Sequence, residues 1–274
     1  MSLAQELLDA FQTGRIVPPP SARNAAFDLT SAYAVENEIA GLRRAAGRRT
    51  VGRKVGFANR GVWRKLKLET VVWAHMYDDT VHHCSPAATM SRLAAGNETT
   101  WSMAGRVAPK IEPEIVFKLA RPIPAGADAS AALDAVEWMA LGFELIDCPF
   151  PDWQFQPVDF LAALGLHAGL IVGEPRTIAS DSTDALVEQL ATFTVKLSEN
   201  GTVVEEGSGK NVLKSPALCL AELATASAAR SVPLAPGELI STGTLTTSRL
   251  ISAGQTWTAV VDGIDLPALS VRIS

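Results

Sequence analysis

The run from Lys110 to Leu119 is apolar except for its end lysines and two carboxylates, Glu112 and Glu114, which are separated by a single proline. Its isoleucines, valine and phenylalanine read as a strand. Strand geometry repeats every two residues, so Glu112, Glu114 and Val116 share one face and Ile111, Pro113, Ile115 and Phe117 the other. Two like charges then occupy one space among neighbours that read as buried. Something must offset them: a cation, a shared proton or plain solvent. A hard divalent metal held by oxygen is the sharpest answer, and an exposed strand face is the ordinary one.

A third carboxylate favours the metal. Trp138 to Asp147 is another apolar run, and Glu144 stands inside it where a core strand carries no charge without a partner. Three acids from two strands supply half of an octahedral shell and leave the other positions to water or substrate, which suits a catalytic Mg²⁺ or Mn²⁺. Asp147 is a reserve ligand that needs a bulge, because a regular strand turns it away from Glu144.

The 274 residues, 47% of them hydrophobic, suffice for one large core domain and an appendage. A net charge of −5 with no basic block argues against nucleic acid. Cys84, Cys148 and Cys219 are scattered and lack CxxC spacing, so they read as reduced thiols of a cytoplasmic protein. The amphipathic start, Met1 to Phe11, is unlike a signal peptide, and no apolar stretch is long enough to cross a membrane.

Residues 1–50 read as a helical section, with helices from Leu3 to Phe11 and from about Ser31 to Ala46, the second capped by Thr30. Residues 51–274 read as a β-rich catalytic domain of short apolar runs punctuated by Gly and Pro. The first run, Val51 to Phe57, sets Lys54 between Gly52 and Gly56, which leave room for another group beside it. Arg53 next to it offers a permanent cation for a substrate carboxylate, provided that a bend lets both reach one site. His167 lies in the apolar run Leu164 to Val172, where a hydrogen-bonded core histidine is the ordinary reading and a proton carrier the functional one. His82-His83 point to opposite faces of a strand and have no third nitrogen or sulfur ligand at a useful spacing. Asn200-Gly201 demands a tight hairpin. The loop Ser241 to Thr247, rich in hydroxyls around Gly243, reads as a cradle for a carboxylate or as a simple polar turn.

Glu112-Pro-Glu114 opening a strand, Phe143-Glu-Leu-Ile-Asp147, Asn200-Gly201, Gly207-Ser-Gly209 before Val212-Leu213, Pro216 and Gly243-Thr-Leu-Thr246 follow in an order that resembles the fumarylacetoacetate hydrolase superfamily. Within it the likeness is to the branch of 2-keto-4-pentenoate hydratases and 4-oxalocrotonate decarboxylases. The resemblance implies an α+β fold with a mixed β-roll core and a helical N-terminal section. It implies a divalent metal on Glu112, Glu114 and Glu144, a catalytic lysine at Lys54, and substrate contacts from Gly243, Thr244 and Thr246. Where the hydratases carry an acid before an aromatic-glycine pair, this chain has Val72-Trp73-Ala74, and His167 is the candidate to replace that acid. The expected reaction is hydration of a 2-hydroxy-2,4-dienoate through a metal-stabilised enolate. The alternatives are decarboxylation of a β-keto acid, C–C hydrolysis of an acylpyruvate, and a binding protein that lost its chemistry, although the last has no reason to keep three buried acids. A homo-oligomer is expected from the family likeness and from an apolar chain with mean hydropathy +0.16 and 19% charged residues.

Overall fold

The computed structural model describes residues 1–84, 99–178 and 183–274. The strands in chain order are β1 (Thr50–Gly56), β2 (Val72–Tyr77), β3 (Val81–His83), β4 (Thr99–Trp101), β5 (Lys110–Leu119), β6 (Val136–Ile146) and β7 (His167–Val172). There follow β8 (Arg176–Thr177), β9 (Thr194–Glu199), β10 (Thr202–Ser208), β11 (Leu239–Ser241), β12 (Arg249–Leu250), β13 (Thr256–Asp262) and β14 (Leu269–Ile273).

Among the described residues these form two mixed sheets. The larger runs β2-β1-β11-β5-β6-β7-β3, with β12 added to β5 and β8 to β6. The smaller runs β10-β9-β13-β14-β4. The β1–β11, β3–β7 and β14–β4 pairs are parallel and the other pairs antiparallel, so the sheet is of the mixed type expected. The 14-residue helix Pro216–Ala229 is almost wholly apolar and buries most of its length, as a helix enclosed by the protein must. Asn200 and Gly201, both at positive φ, make the turn between β9 and β10.

The helical section packs into the same core rather than standing apart. Leu7, Tyr33 and Ile39 belong to the cluster that includes Trp73, Ile115 and Phe143. Polar bonds tie it down as well: Glu36 accepts from the His75 backbone N–H at 3.0 Å, and Arg43 pairs with Asp79. The second long helix, Leu29–Ala45, begins earlier than its hydrophobic pattern indicates, because the carboxylate of Asp28, not the hydroxyl of Thr30, caps it by accepting from Ser31 N–H. The three cysteines are unpaired, and no described helix is long and apolar enough to cross a membrane.

The central pair, β5 and β6, is the longest in the sheet and its register builds the site. Glu112 stands opposite Glu144, Glu114 opposite Gly142, and Val116 opposite Ala140. Val116, Ala140, Leu170, Met76 and Leu239 form a small buried cluster of their own on the acid-bearing face, so the carboxylates rest on an apolar floor. Ile111, Ile115 and Phe117, on the other face, join the main core.

Candidate metal centre

Glu112, Glu114 and Glu144 each bring one carboxylate oxygen to within 4.8 Å of the others. Glu114 and Glu144 are fully buried, whereas Glu112 is half-buried and lines a cleft of about 590 Å³. Around the cleft stand Lys54, Lys110, Trp153, Phe155, Phe160 and the loop residues Gly243, Thr244 and Thr246.

The two oxygens of Glu114 differ in their surroundings. Oε2 accepts from the Ser241 hydroxyl at 2.5 Å and from Gly243 N–H at 2.8 Å, while Oε1 is buried with no hydrogen-bond partner among the described residues. A buried carboxylate oxygen left bare costs free energy unless something positive meets it. The register that pairs Ser241 with Val116 brings the start of the 241–247 loop beside Glu114, and Gly243, at φ +105°, turns its N–H inward in a conformation that L side chains rarely adopt. Thr244 and Thr246 donate their hydroxyls to the carbonyls of Thr246 and Thr247, at 2.9 and 3.1 Å, so toward the cleft these hydroxyls offer lone pairs rather than protons.

Among the described residues two groups bond to Glu144. Lys54 Nζ donates to Oε2 at 2.8 Å, and His167 Nδ1 lies 2.9 Å from Oε1. Burial drives the His167 pKa well below its ordinary value, with the charge of Lys54 acting in the same direction. The Thr80 hydroxyl lies 3.0 Å from Nε2 on the far side of the ring and 3.1 Å from the Tyr77 carbonyl oxygen, so the imidazole is held from both sides. The sequence reading passed over Thr80, because its link to His167 spans 87 positions. His167 stands behind Glu144 and does not line the cleft.

Burial, followed by repulsion from a neighbouring acid (Glu114 acting on Glu112, and Glu144 on Glu114), raises the carboxyls of Glu112 and Glu114 to about 8. Burial also raises Glu144, opposed by Lys54. For Lys54 burial pulls the pKa down, but the fields of Glu144, Glu112 and Glu114 outweigh it and hold the amine above its usual value. Three ionised carboxylates here exceed what one lysine balances, so without a further cation Glu112 and Glu114 hold their protons up to about pH 8. A divalent cation fits this donor set: three oxygens from hard carboxylates, one of them bare, over a dry floor.

Three expectations change with the geometry. Arg53 faces away from Lys54, as adjacent strand residues do; it pairs with Glu238 at 3.1 Å, donates to the Val232 and Pro233 carbonyls and stacks on Trp73, so it takes no part in the cleft. Asp147 accepts from Val107 and Ala108 N–H, both at 2.9 Å, and braces that loop instead of serving as a reserve ligand. The glycines beside Lys54 do not make room for substrate. A Cβ on Gly52 would fall 2.0 Å from the Leu239 carbonyl oxygen, and one on Gly56 would fall 2.4 Å from the Phe160 ring, so one admits β11 and the other the aromatic wall over Lys54.

A mixed β-roll that gathers three acids beneath a cleft defines a class of metal-site proteins with the fumarylacetoacetate hydrolase fold. The chain belongs to this family: the model of the fumarylacetoacetate (FAA) hydrolase C-terminal domain matches residues 64–273, which include all three acids. The 2-hydroxyhexa-2,4-dienoate hydratase of Comamonas testosteroni is 26% identical over 261 residues, 95% of this chain and 92% of the relative. A 4-oxalocrotonate decarboxylase from a Pseudomonas species is 26% identical over 255 residues, 92% and 90%. The structure of the 4-oxalocrotonate decarboxylase from Pseudomonas putida G7, complexed with magnesium and adipate, superposes with a TM-score of 0.86 at 24% identity, covering 99% of this chain and 96% of that one.

Proposed function

We propose that this protein is a metal-dependent enzyme acting on a 2-oxo acid or its enol, and that its reaction is hydration of a 2-hydroxy-2,4-dienoate. The observation that carries the reading is the bare, buried Oε1 of Glu114 among three converging carboxylates under an open cleft. Relatedness over nearly the whole chain to a dienoate hydratase supports the choice of reaction. Decarboxylation of a β-keto acid is the second reading, supported by equal identity to a decarboxylase.

In this reading Glu112, Glu114 and Glu144 hold Mg²⁺ or Mn²⁺. A cation held there would supply positive charge to the oxygens of a 2-oxo acid as negative charge develops on them. Ser241 and Gly243 N–H fix the orientation of Glu114, and His167, backed by Thr80, fixes that of Glu144. Lys54 is the proton carrier: its amine lines the cleft beside the acids and already donates to Glu144 at 2.8 Å. Thr244 and Thr246 offer acceptors to a substrate hydroxyl, while the N–H of Gly243 is engaged by Glu114 and serves the substrate only indirectly. Residues 1–50 and 51–274 are proposed as helical section and catalytic domain, in a homo-oligomer of at least two copies. A monomeric mass in light scattering would remove that last element.

The test is a panel of 2-hydroxydienoates, β-keto acids and acylpyruvates with Mg²⁺ or Mn²⁺, followed by loss of enol absorbance and by CO₂ release. Hydration without CO₂ is expected. CO₂ release selects the decarboxylase, and a panel without turnover contradicts both.

Two further outcomes follow from the geometry. Since Glu112 and Glu114 are held near 8, metal binding at pH 6.5 should release roughly one to two protons, falling toward zero above pH 8.5, and affinity should rise with pH across that window. Calorimetry in buffers of different ionisation enthalpy reads the release directly. The same shift means that the metal-free fold has its full contribution from these groups below the ordinary carboxylate range and loses it as pH rises through about 8. His167→Ala, which frees one side of Glu144, should weaken metal binding by roughly 10- to 100-fold while kcat at saturating metal is largely kept. A large fall in kcat at saturating metal would instead make His167 a proton carrier.

A further inference from the structure

A second depression, of about 240 Å³, lies beside the cleft. Asn59 and Asn211 line both, so the two share a wall. The rest of its lining includes Arg60, Lys210 and Lys214, and no acidic residue among those described. A further cavity of about 350 Å³ shares Arg60 and Lys214 with it, so the three form one furrow that ends at the cleft.

Local structure sets these cations together. After β10 the chain makes a single 3₁₀ turn, Gly209–Asn211, and then runs through Leu213 and Lys214, both at positive φ, 46° and 72°. Positive φ is easy for glycine and strained for a residue with a Cβ, so position 214 keeps a lysine where a glycine would fit the backbone better. The Lys214 N–H donates to the Lys210 carbonyl at 3.1 Å, which closes a turn with both lysines on it. The Leu213 N–H donates to the Ala58 carbonyl at 2.8 Å, which fastens that turn to the segment carrying Asn59 and Arg60. Lys210 and Lys214 are exposed and have no carboxylate at ion-pair distance among the described residues. Arg60 pairs with Glu222 at 2.8 Å, and that carboxylate also accepts from the Thr70 hydroxyl at 2.6 Å. Three cations thus face one acid here, in a chain of net charge −5.

A carboxylate ligand meets the chain as a whole as a like charge. A loaded metal centre would offer it no long-range pull, because three ionised acids cancel Lys54 and a divalent cation. Within the cleft wall one more cation, Lys110, lies against the Trp153 ring, 3.8 Å from its centroid. The field of exposed charges decays over about 8 Å at physiological salt, so a patch steers a ligand to the cleft only if it adjoins the cleft, as this furrow does.

We propose that Arg60, Lys210 and Lys214 form an approach path that draws anionic ligands to the cleft and speeds their entry, without holding the bound ligand or taking part in its chemistry. The inference rests on the 2-oxo-acid reading for the charge of the ligand. It needs only the one carboxylate of such an acid and makes no choice among reactions.

The experiment follows 2-oxopentanoate, which carries a single charge, on the Mg²⁺-loaded protein. Its exchange rate, from the line widths of its own NMR signals, and its Kd, from calorimetry, together give the association and dissociation rates. Replacing both exposed lysines, Lys210→Gln with Lys214→Gln, should lower the association rate roughly three- to tenfold at about 0.01 M salt and leave it unaltered at about 1 M, where the field is screened. The dissociation rate should change little, and Lys210→Arg with Lys214→Arg should keep the association rate of the unaltered protein. An association rate unchanged at low salt overturns the inference. A loss of equal size at both salt concentrations overturns it too, since a contact and not a field would then be missing. A change confined to the dissociation rate does the same, because the lysines would then hold the bound ligand. In each of these cases the 2-oxo-acid reading stands. If 2-oxopentanoate does not bind to the loaded protein, that reading fails and takes the inference with it.

Discussion

Glu114→Gln should lower kcat/KM by roughly 10³-fold or more, through loss of the metal rather than loss of the fold. Glutamine has the size of glutamate but only one acceptor oxygen. If that oxygen faces Ser241 Oγ and Gly243 N–H, which donate to Glu114 at 2.5 and 2.8 Å, the amide NH₂ faces the metal position and repels a cation. If the amide is turned round, its NH₂ meets the Gly243 N–H, and two donors oppose each other in a dry site. Neither orientation restores the ligand. The metal-free fold should tolerate the change, because a carboxyl raised to about 8 is already largely neutral at pH 7. The measurements are turnover and Tm, each with and without Mg²⁺. Expected are a metal-free Tm close to that of the unaltered protein, no rise in Tm on adding metal, and no turnover. Full activity, or a metal-dependent Tm shift of normal size, would remove Glu114 from the site.

Lys54→Ala should lower kcat by roughly 10²-fold and change KM little. The amine is 2% exposed, 2.8 Å from Glu144 and 5.0 Å from the centroid of the Phe160 ring, so it is held in one place beside the acids. Removing one partner of a buried ion pair leaves the other uncompensated, at a cost of about 3–5 kcal/mol in a metal-free protein. Assays therefore belong at saturating metal, where Glu144 keeps a cationic partner. A loss confined to KM would mean that the lysine neutralises the substrate carboxylate without moving a proton. Near-normal kcat would transfer the proton to another group, with His167 first in line.

Much of the site's position was legible in the sequence and much of its wiring was not. The period of two in Lys110–Leu119 gave the shared face of Glu112 and Glu114, and a charge within an apolar run marked Glu144; both are local signals. That Glu112 stands opposite Glu144 depends on the pairing of two strands separated by a helix and a turn, and no local pattern encodes that register. The same strand rule already set Arg53 opposite to Lys54, so bringing both to one site required a bend that β1 does not have between them. Gly52 and Gly56 were visible as open space, but what fills the space comes from β11 and Phe160, distant in the chain. Thr80 and Lys110 went unremarked for similar reasons: a threonine in a turn and a lysine at a strand end are ordinary until a histidine or a tryptophan from elsewhere is set against them. The cap at Asp28 is a different case, because Asp and Thr both cap well and sequence alone does not choose between them.

The central claim is that three carboxylates from two strands hold one divalent cation, and diffraction from crystals soaked in Mn²⁺ and recorded near the manganese absorption edge tests it most directly. The account predicts a single strong anomalous peak in the cleft at roughly 2 Å from one oxygen each of Glu112, Glu114 and Glu144. No peak there at full soaking, or a peak bound by other residues with these three acids left aside, would contradict it.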